Sequence, residues 1–254
     1  FTCSLVAVNV DTGKMAWYYQ TSPRDMHDWD SAQTPILIDT TINGKPRKLV
    51  STAARNGYFF TVDRITGEPV VSGKYSLAAN WASGLDAKGR PILNPEKVAT
   101  IPGSIVSGSA TNWPPPAYSP DTGLFYVPEN NNLSIRYLID ADPRGSMGLG
   151  GVQGGGGVSP GNFVTAIDPK TAKIAWRHEL PGGGGATGML TTAGRLVFAG
   201  DGAGNLVGFD AANGTPLWHA RIGNVSNAPQ TYMLDGKQYL LSSGGDVLVA
   251  LVLH

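Results

Sequence analysis

Apolar residues in this chain come in short runs separated by Gly, Pro, Asn and Asp, as at Lys48–Thr52, Tyr58–Val62, Leu196–Ala199 and Tyr239–Leu241. Runs of this kind, rich in β-branched and aromatic residues and bounded by turn formers, read as strands. No long stretch places apolar residues at helical spacing, which sets aside helical solenoids. The pattern predicts an all-β chain.

An eleven-residue phrase recurs on this background. Ala7-Val8-Asn9-Val10-Asp11-Thr12-Gly13-Lys14-Met15-Ala16-Trp17 returns at 166–176 and at 208–218 as a small residue, an Asp or Asn, a turn and a tryptophan. A copy at 61–71 keeps Asp63, Thr66 and Gly67 but ends on Val71. Each copy predicts a strand, a tight turn and a second strand. The copies start 54, 105 and 42 residues apart, and the long step reads as two, with a degenerate member near Tyr118–Val127. A period of roughly 40–50 residues made of short strands is that of the four-stranded blade of a β-propeller. The whole chain, 1–254, then forms one partial propeller domain of about five blade equivalents. Trp17, Trp176 and Trp218 read as packing between neighbouring blades, where an aromatic ring buries a large apolar area.

Composition narrows the functions. A hydrophobic content of 41% supports a core, while 15% charged residues and zero net charge give no basis for binding nucleic acid or anionic membrane. No apolar run is long enough to span a bilayer. Cys3 is the single cysteine, so no internal disulfide and no haem-attachment motif are available. The four histidines are scattered without metal-ligand spacing. The start at Phe1, with no initiator Met or signal peptide, reads as part of a longer chain.

Three stretches break the strand rhythm. Asp25, His27, Asp28, Trp29 and Asp30 crowd six positions, either as a solvated loop or as carboxylates for a hard cation or a general base. Arg55-Asn56-Gly57 puts a cation between two apolar strands, as a hairpin turn with a surface Arg or as a charge presented to a channel. Asn112-Trp113-Pro114-Pro115 sets an amide beside an aromatic ring, in a rigid loop or a binding contact. The glycine runs at 148–157 and 182–185 lack a following Gly-Lys-Ser/Thr and read as flexible or closely packed loops, not phosphate cradles.

Taken together, the tryptophan-ended repeat, Trp17–Pro23, His27–Asp30, Arg55-Asn56-Gly57 with Phe60–Arg64, Asn112-Trp113 with Ala117–Pro120, and Thr191–Phe198 resemble the pyrroloquinoline-quinone (PQQ) dependent alcohol dehydrogenases, the methanol and ethanol dehydrogenase group. The resemblance runs in order along nearly the whole chain. It implies an eight-bladed propeller, of which this chain looks like the C-terminal half and a little more. It implies oxidation of a primary alcohol, with Asp30 as general base and ligand of Ca²⁺, and Ca²⁺ as Lewis acid. Asp28 is the neighbouring candidate for that role. Arg55 resembles the cation on the quinone oxygens, and Asn112 with Trp113 the contact to the cofactor edge.

A cytochrome c-type electron acceptor and a periplasmic location follow from the same resemblance. So does an N-terminal part of the same protein carrying the vicinal disulfide, the tryptophan beneath the quinone and the remaining calcium ligands. Ala32 stands where lanthanide-using members carry a further carboxylate, which favours calcium. Pro181–Gly188 lacks the tryptophan often found there. The competing reading is a non-catalytic propeller scaffold, which needs the repeat but not Asp30, Arg55 and Asn112 together.

Overall fold

The computed structural model describes residues 2–25, 27, 29–98, 101, 103–138, 152–182 and 187–252, with only the backbone at 136–138 and 152–154. β1 (Ser4–Val8) and β2 (Met15–Gln20) form a two-stranded sheet, and β3 (Ile36–Ile42), β4 (Lys45–Ala53), β5 (Tyr58–Asp63) and β6 (Pro69–Lys74) a four-stranded one. A small hairpin, β7 (Ala82–Leu85) with β8 (Pro91–Leu93), and a 3₁₀ turn at Pro95–Lys97 follow. β9 (Ser104–Ser107) then joins a sheet of β10 (Ala117–Ser119), β11 (Leu124–Leu138), β12 (Val152–Asp168) and β13 (Lys173–Glu179) by pairing with β11. β14 (Leu190–Thr191), β15 (Leu196–Gly200), β16 (Asn205–Asp210) and β17 (Pro216–Arg221) make the next sheet. β18 (Gln230–Leu234), β19 (Lys237–Gly244) and β20 (Val247–Val252) make the last. All pairings are antiparallel and, apart from β9 with β11, join strands consecutive in the chain, as in propeller blades.

The core lies between successive sheets. On β5, Tyr58, Phe60 and Val62 pack toward the first sheet with Tyr19 and Val50, while Phe59 packs toward the third with Phe125 and Ile167. Burial on both faces explains why β5 is apolar without alternation. Tyr126, Val164, Val197 and Phe209 fill the next gap, and Leu206, Val225 and Leu240 the last.

The recurring phrase is one structural device. Its small residue lies directly across from its tryptophan: Ala7 from Trp17, Ala166 from Trp176, Gly208 from Trp218. Each copy, the 61–71 copy included, has a register shift at the following residue, so a β-bulge is part of the repeat. The Asp or Asn side chain caps the turn: Asp63 Oδ1 accepts from Ile65 N at 2.9 Å, and Asp210 Oδ1 from Ala212 N at 2.8 Å.

Two of the three indoles, Trp17 and Trp176, dock on the turn of the next sheet, whereas Trp218 packs edge-on against Phe198 and stays 41% exposed. Trp17 Nε1 donates to Arg64 O (3.1 Å) and Trp176 Nε1 to Ala211 O (3.0 Å). The rings lie so close to Gly67 and Gly214 that a Cβ there would sit 2.7 and 2.5 Å from ring carbons. Where the phrase ends on Val71 instead, the turn it meets carries Ala172 at φ +54° in place of glycine. Ring size and turn size are matched.

Two expectations are corrected. Tyr118–Val127 is not a degenerate blade: it forms the β10–β11 hairpin of the same sheet as the copy at 166. The 105-residue step is filled by the β7–β8 hairpin, the 3₁₀ turn and long strands β11 and β12. Gly154–Gly157 is not loop but strand, paired with Ser134–Arg136 of β11, because ladder pairing overrides the low strand propensity of glycine. The rest of that run, 148–151, and most of the run at 182–185 lie outside the described residues.

Gly13 and Gly67 both sit at positive φ, +67° and +76°, but only Gly67 faces an indole. Alanine at Gly13 is expected to cost about 1–2 kcal/mol of backbone strain, and Gly67→Ala a further ~1–3 kcal/mol of overpacking. Denaturant unfolding of the two variants measures the difference, and equal losses would remove indole docking as its cause.

Candidate functional site

The stretches that break the strand rhythm converge at one end of the sheets. Asp30 precedes β3, Arg55 follows β4, and Ser109 to Asn112 precede β10. In antiparallel sheets, the start of a first strand and the end of a second lie at the same end.

The loop from Thr21 to Gln33 is held firmly. Asp25 accepts from His27 N at 2.8 Å and from Trp29 N at 2.7 Å, so this aspartate is a loop cap. Trp29, 2% exposed, packs against Trp81 (centroids 4.5 Å) and His27 (4.2 Å). Thr21 Oγ1 meets Ser31 Oγ at 2.7 Å. With Trp29 buried, its neighbour Asp30 is turned outward, its side chain 67% exposed. Asp28 lies outside the described residues.

The β4–β5 turn presents Arg55 to Asp30. Ala54 and Asn56 on either side of it are buried, and the Arg55 side chain is 20% exposed. Arg55 Nη1 lies 3.5 Å from Asp30 Oδ2, Arg55 Nε donates to Ser109 Oγ at 2.8 Å, and Arg55 N donates to Gln33 Oε1 at 3.2 Å. Buried Asn56 ties the turn to the Asp30 loop by donating to Thr21 O (2.9 Å) and Ser22 Oγ (2.8 Å). An ion pair as exposed as Asp30–Arg55 contributes only about 0–1 kcal/mol. The geometry is therefore set by the buried backbone and amide bonds.

The carbonyls around Arg55 are gripped by the segment 75–81. Tyr75 OH donates to Ala54 O at 2.9 Å, Trp81 Nε1 to Asn56 O at 2.7 Å, and Tyr75 N and Ser76 N to Gly57 O at 2.9 and 3.1 Å. Burial, and then the charge of Glu129, push the Tyr75 hydroxyl well above its ordinary pKa and keep it a donor. Gly57, at φ +86°, leaves no room for a side chain: a Cβ would lie 2.7 Å from that of Ala79.

Of the residues singled out in the sequence, the structure joins Asp30 to Arg55. Ala110 N donates to Arg55 O at 2.8 Å, which brings the segment before β10 alongside. Asn112 Oδ1 accepts from Trp113 N at 2.9 Å, and Trp113 is 58% exposed. Among the described residues no hydrogen bond or ion pair links either side chain to Asp30 or Arg55. Sequence reasoning missed Ser109, Gln33 and Trp81; only Gln33, three residues beyond Asp30 in the same crowded stretch, carried a local signal. Among the described residues no group of three or more His, Cys, Asp or Glu could hold a metal. A cavity of about 570 Å³ lies elsewhere, between the last two sheets, lined by Phe198, Leu217, Trp218, Tyr239 and Leu251. No helix among the described residues is long and apolar enough to cross a membrane.

Fold and site define a β-propeller that carries an acid–cation pair at one end. The family profile described as the glucose/ethanol/alcohol dehydrogenase β-propeller domain matches residues 1–76, the part that holds Asp30 and Arg55. The profile of the outer membrane protein assembly factor BamB matches residues 140–253, which hold two copies of the repeat. The chain is 39% identical to the quinohemoprotein alcohol dehydrogenase of Comamonas testosteroni, over 94% of this chain and 36% of that protein. It is also 39% identical to the 1-butanol dehydrogenase (cytochrome c) of Thauera butanivorans, over 94% of this chain and 37% of that one. The solved structure of the quinohemoprotein alcohol dehydrogenase ADHIIG of Pseudomonas putida superposes with a TM-score of 0.84 at 34% identity, covering 97% of this chain and 39% of that chain. Over 94% of its length the chain is thus similar to quinoprotein and quinohemoprotein alcohol dehydrogenases. It spans little more than a third of the length of these curated relatives, 36–37%.

Trp81→Ala is expected to cost about 3–5 kcal/mol by removing a buried aromatic side chain. Trp81→Phe, which keeps the ring contact with Trp29 but loses the bond to Asn56 O, is expected to cost less, about 2 kcal/mol. Chemical denaturation followed by tryptophan fluorescence checks both values.

Proposed function

We propose that this chain carries the base and a cofactor-contacting cation of an enzyme that oxidises a primary alcohol by hydride transfer to PQQ. One observation carries the reading: an exposed carboxylate, Asp30, held 3.5 Å from a largely buried guanidinium, Arg55, within the stretch matched by the dehydrogenase domain.

Arg55 suits the quinone, offering a fixed positive charge to its anionic oxygens; Asn112 and the exposed ring of Trp113, on the segment that Ala110 N ties to Arg55 O, offer an amide and an aromatic surface. When bound, the quinone supplies the hydride acceptor. Asp30 Oδ2 takes the hydroxyl proton of the alcohol as its carbon gives up hydride and becomes an aldehyde. Arg55 holds position through Ser109 and Gln33 and stabilises negative charge at the acceptor. Calcium fits less well. Asp30 is a single carboxylate, against about six to eight oxygen ligands. In this reading Asp30 is one calcium ligand and the remainder come from an N-terminal part of the same protein.

A cytochrome c-type partner would take the electrons, as the name 1-butanol dehydrogenase (cytochrome c) suggests for that relative, and the proposed location is the periplasm. The match of 140–253 to the BamB profile supports the second reading, a propeller scaffold without catalysis. The deciding experiment loads the protein, with its natural flanking sequence, with PQQ and Ca²⁺ and measures dye-linked alcohol oxidation. Asp30→Asn is expected to lower kcat by about 10²–10⁴-fold, with the quinone still bound. Full activity in that variant would reject Asp30 as base, and failure of the wild type to bind quinone would favour the scaffold.

A further inference from the structure

A buried polar cluster outside the site is left unused by the mechanism above. Glu129 on β11 is 1% exposed, and its carboxylate accepts four hydrogen bonds. Oε1 accepts from Leu77 N (3.0 Å) and Asn131 Nδ2 (2.9 Å), and Oε2 from Thr165 Oγ1 (2.5 Å) and Arg177 Nε (2.7 Å). Asn131, also 1% exposed, accepts at Oδ1 from Ser76 Oγ (2.8 Å) and Ala78 N (3.0 Å). Arg177 Nη2 donates to Tyr75 O. Three side chains of the β9–β13 sheet thus hold the backbone or side chains of Tyr75, Ser76, Leu77 and Ala78. Holding one blade to another does not require a buried charge, which is costly to desolvate.

The far side of the same segment grips Ala54, Asn56 and Gly57, the carbonyls flanking Arg55, and supplies Trp81 to Trp29. We infer that Glu129 is a positioning residue: through the 75–81 segment it sets the β4–β5 turn, and with it the aim of Arg55 at Asp30. The linkage is continuous, with every contact in it a hydrogen bond or a packed ring, and it reaches the site without Glu129 touching it. A fully satisfied carboxylate has one geometry, and an amide in its place offers one acceptor oxygen and two donors to four donors. Glu129→Gln therefore loosens the segment from β11 while keeping side-chain size. The mechanical linkage stands apart from the proposed function; its consequence for quinone binding rests on that reading.

The test compares Glu129→Gln with Asp201→Asn in the protein carrying its natural flanking sequence. Asp201 is another buried carboxylate, 5% exposed, that accepts from Ala203 N, Asn205 N and Asn205 Nδ2 in the β15–β16 turn. Amide hydrogen exchange at 54–58 and 75–81 is expected to quicken roughly tenfold in Glu129→Gln, with exchange in β16 unchanged. Asp201→Asn should leave 54–58 as in the wild type. PQQ titration should weaken by a similar factor in Glu129→Gln alone, and Glu129→Asp should recover part of it. Unchanged exchange at 54–58, or equal changes in Asp201→Asn, would overturn the inference. If the wild type takes up no quinone, the proposed function falls and the exchange experiment still decides the positioning role. Should Glu129→Gln not fold, Asn131→Ser removes the bonds to Ser76 and Ala78, and the same measurements decide.

Discussion

The indole rings of Trp17 on β2 and Trp176 on β13 must each meet a turn small enough to receive them, and the arrangement of the sheets follows from that fit. Trp17 and Trp176 lie on Gly67 and Gly214 with no room for a Cβ, and each anchors its ring nitrogen on a carbonyl of the same turn. Where Val71 replaces the ring, Ala172 replaces the glycine and accepts a left-handed φ of +54° to do so. The pairing sets how closely each sheet stacks on the next, and apolar side chains fill the space so defined. Packing at crystal-like density leaves little freedom in that spacing.

Because the repeat is occupied with stacking, chemistry is confined to the ends of the sheets. There the chain uses a second set of constraints. Asn56, Trp29 and Trp81 are buried so that Asp30 can be exposed and Arg55 partly so. The ion pair between them is too exposed to hold its own geometry. Carbonyls at 54, 56 and 57 are instead fixed by a segment that is itself fixed from β11, which leaves the guanidinium near Asp30 and the carboxylate exposed.

The repeat was legible because its demands are local: a small residue across from a ring, an Asx cap, a residue that tolerates positive φ. The apolar runs around 48–62 and 196–199 were legible for the same reason, since strands buried on both faces carry no polar alternation. Asp30 and Arg55 stood out as charges that break apolar rhythm, and the structure brings them together. It separates Asp25 from Asp30, a distinction that spacing alone could not make, because only the fold decides which carboxylate meets backbone amides. Ser109 and Trp81 were not legible, as their partners lie 54 and 25 residues away and neither residue type announces a site. The strand at Gly154–Gly157 was missed because pairing with β11, not propensity, puts it there. The Tyr118–Val127 hairpin was misplaced because any strand-turn-strand looks like the repeat when its closing ring is absent.

The central claim is that Asp30 and Arg55 face the cofactor. A crystal structure of the protein with its natural flanking sequence, determined after loading with PQQ, tests it most directly. The account predicts quinone density with its oxygens against the Arg55 guanidinium and its reactive face toward the Asp30 carboxylate. Quinone bound elsewhere, as in the cavity beside Trp218 and Tyr239, with Arg55 and Asp30 left in solvent, would contradict it.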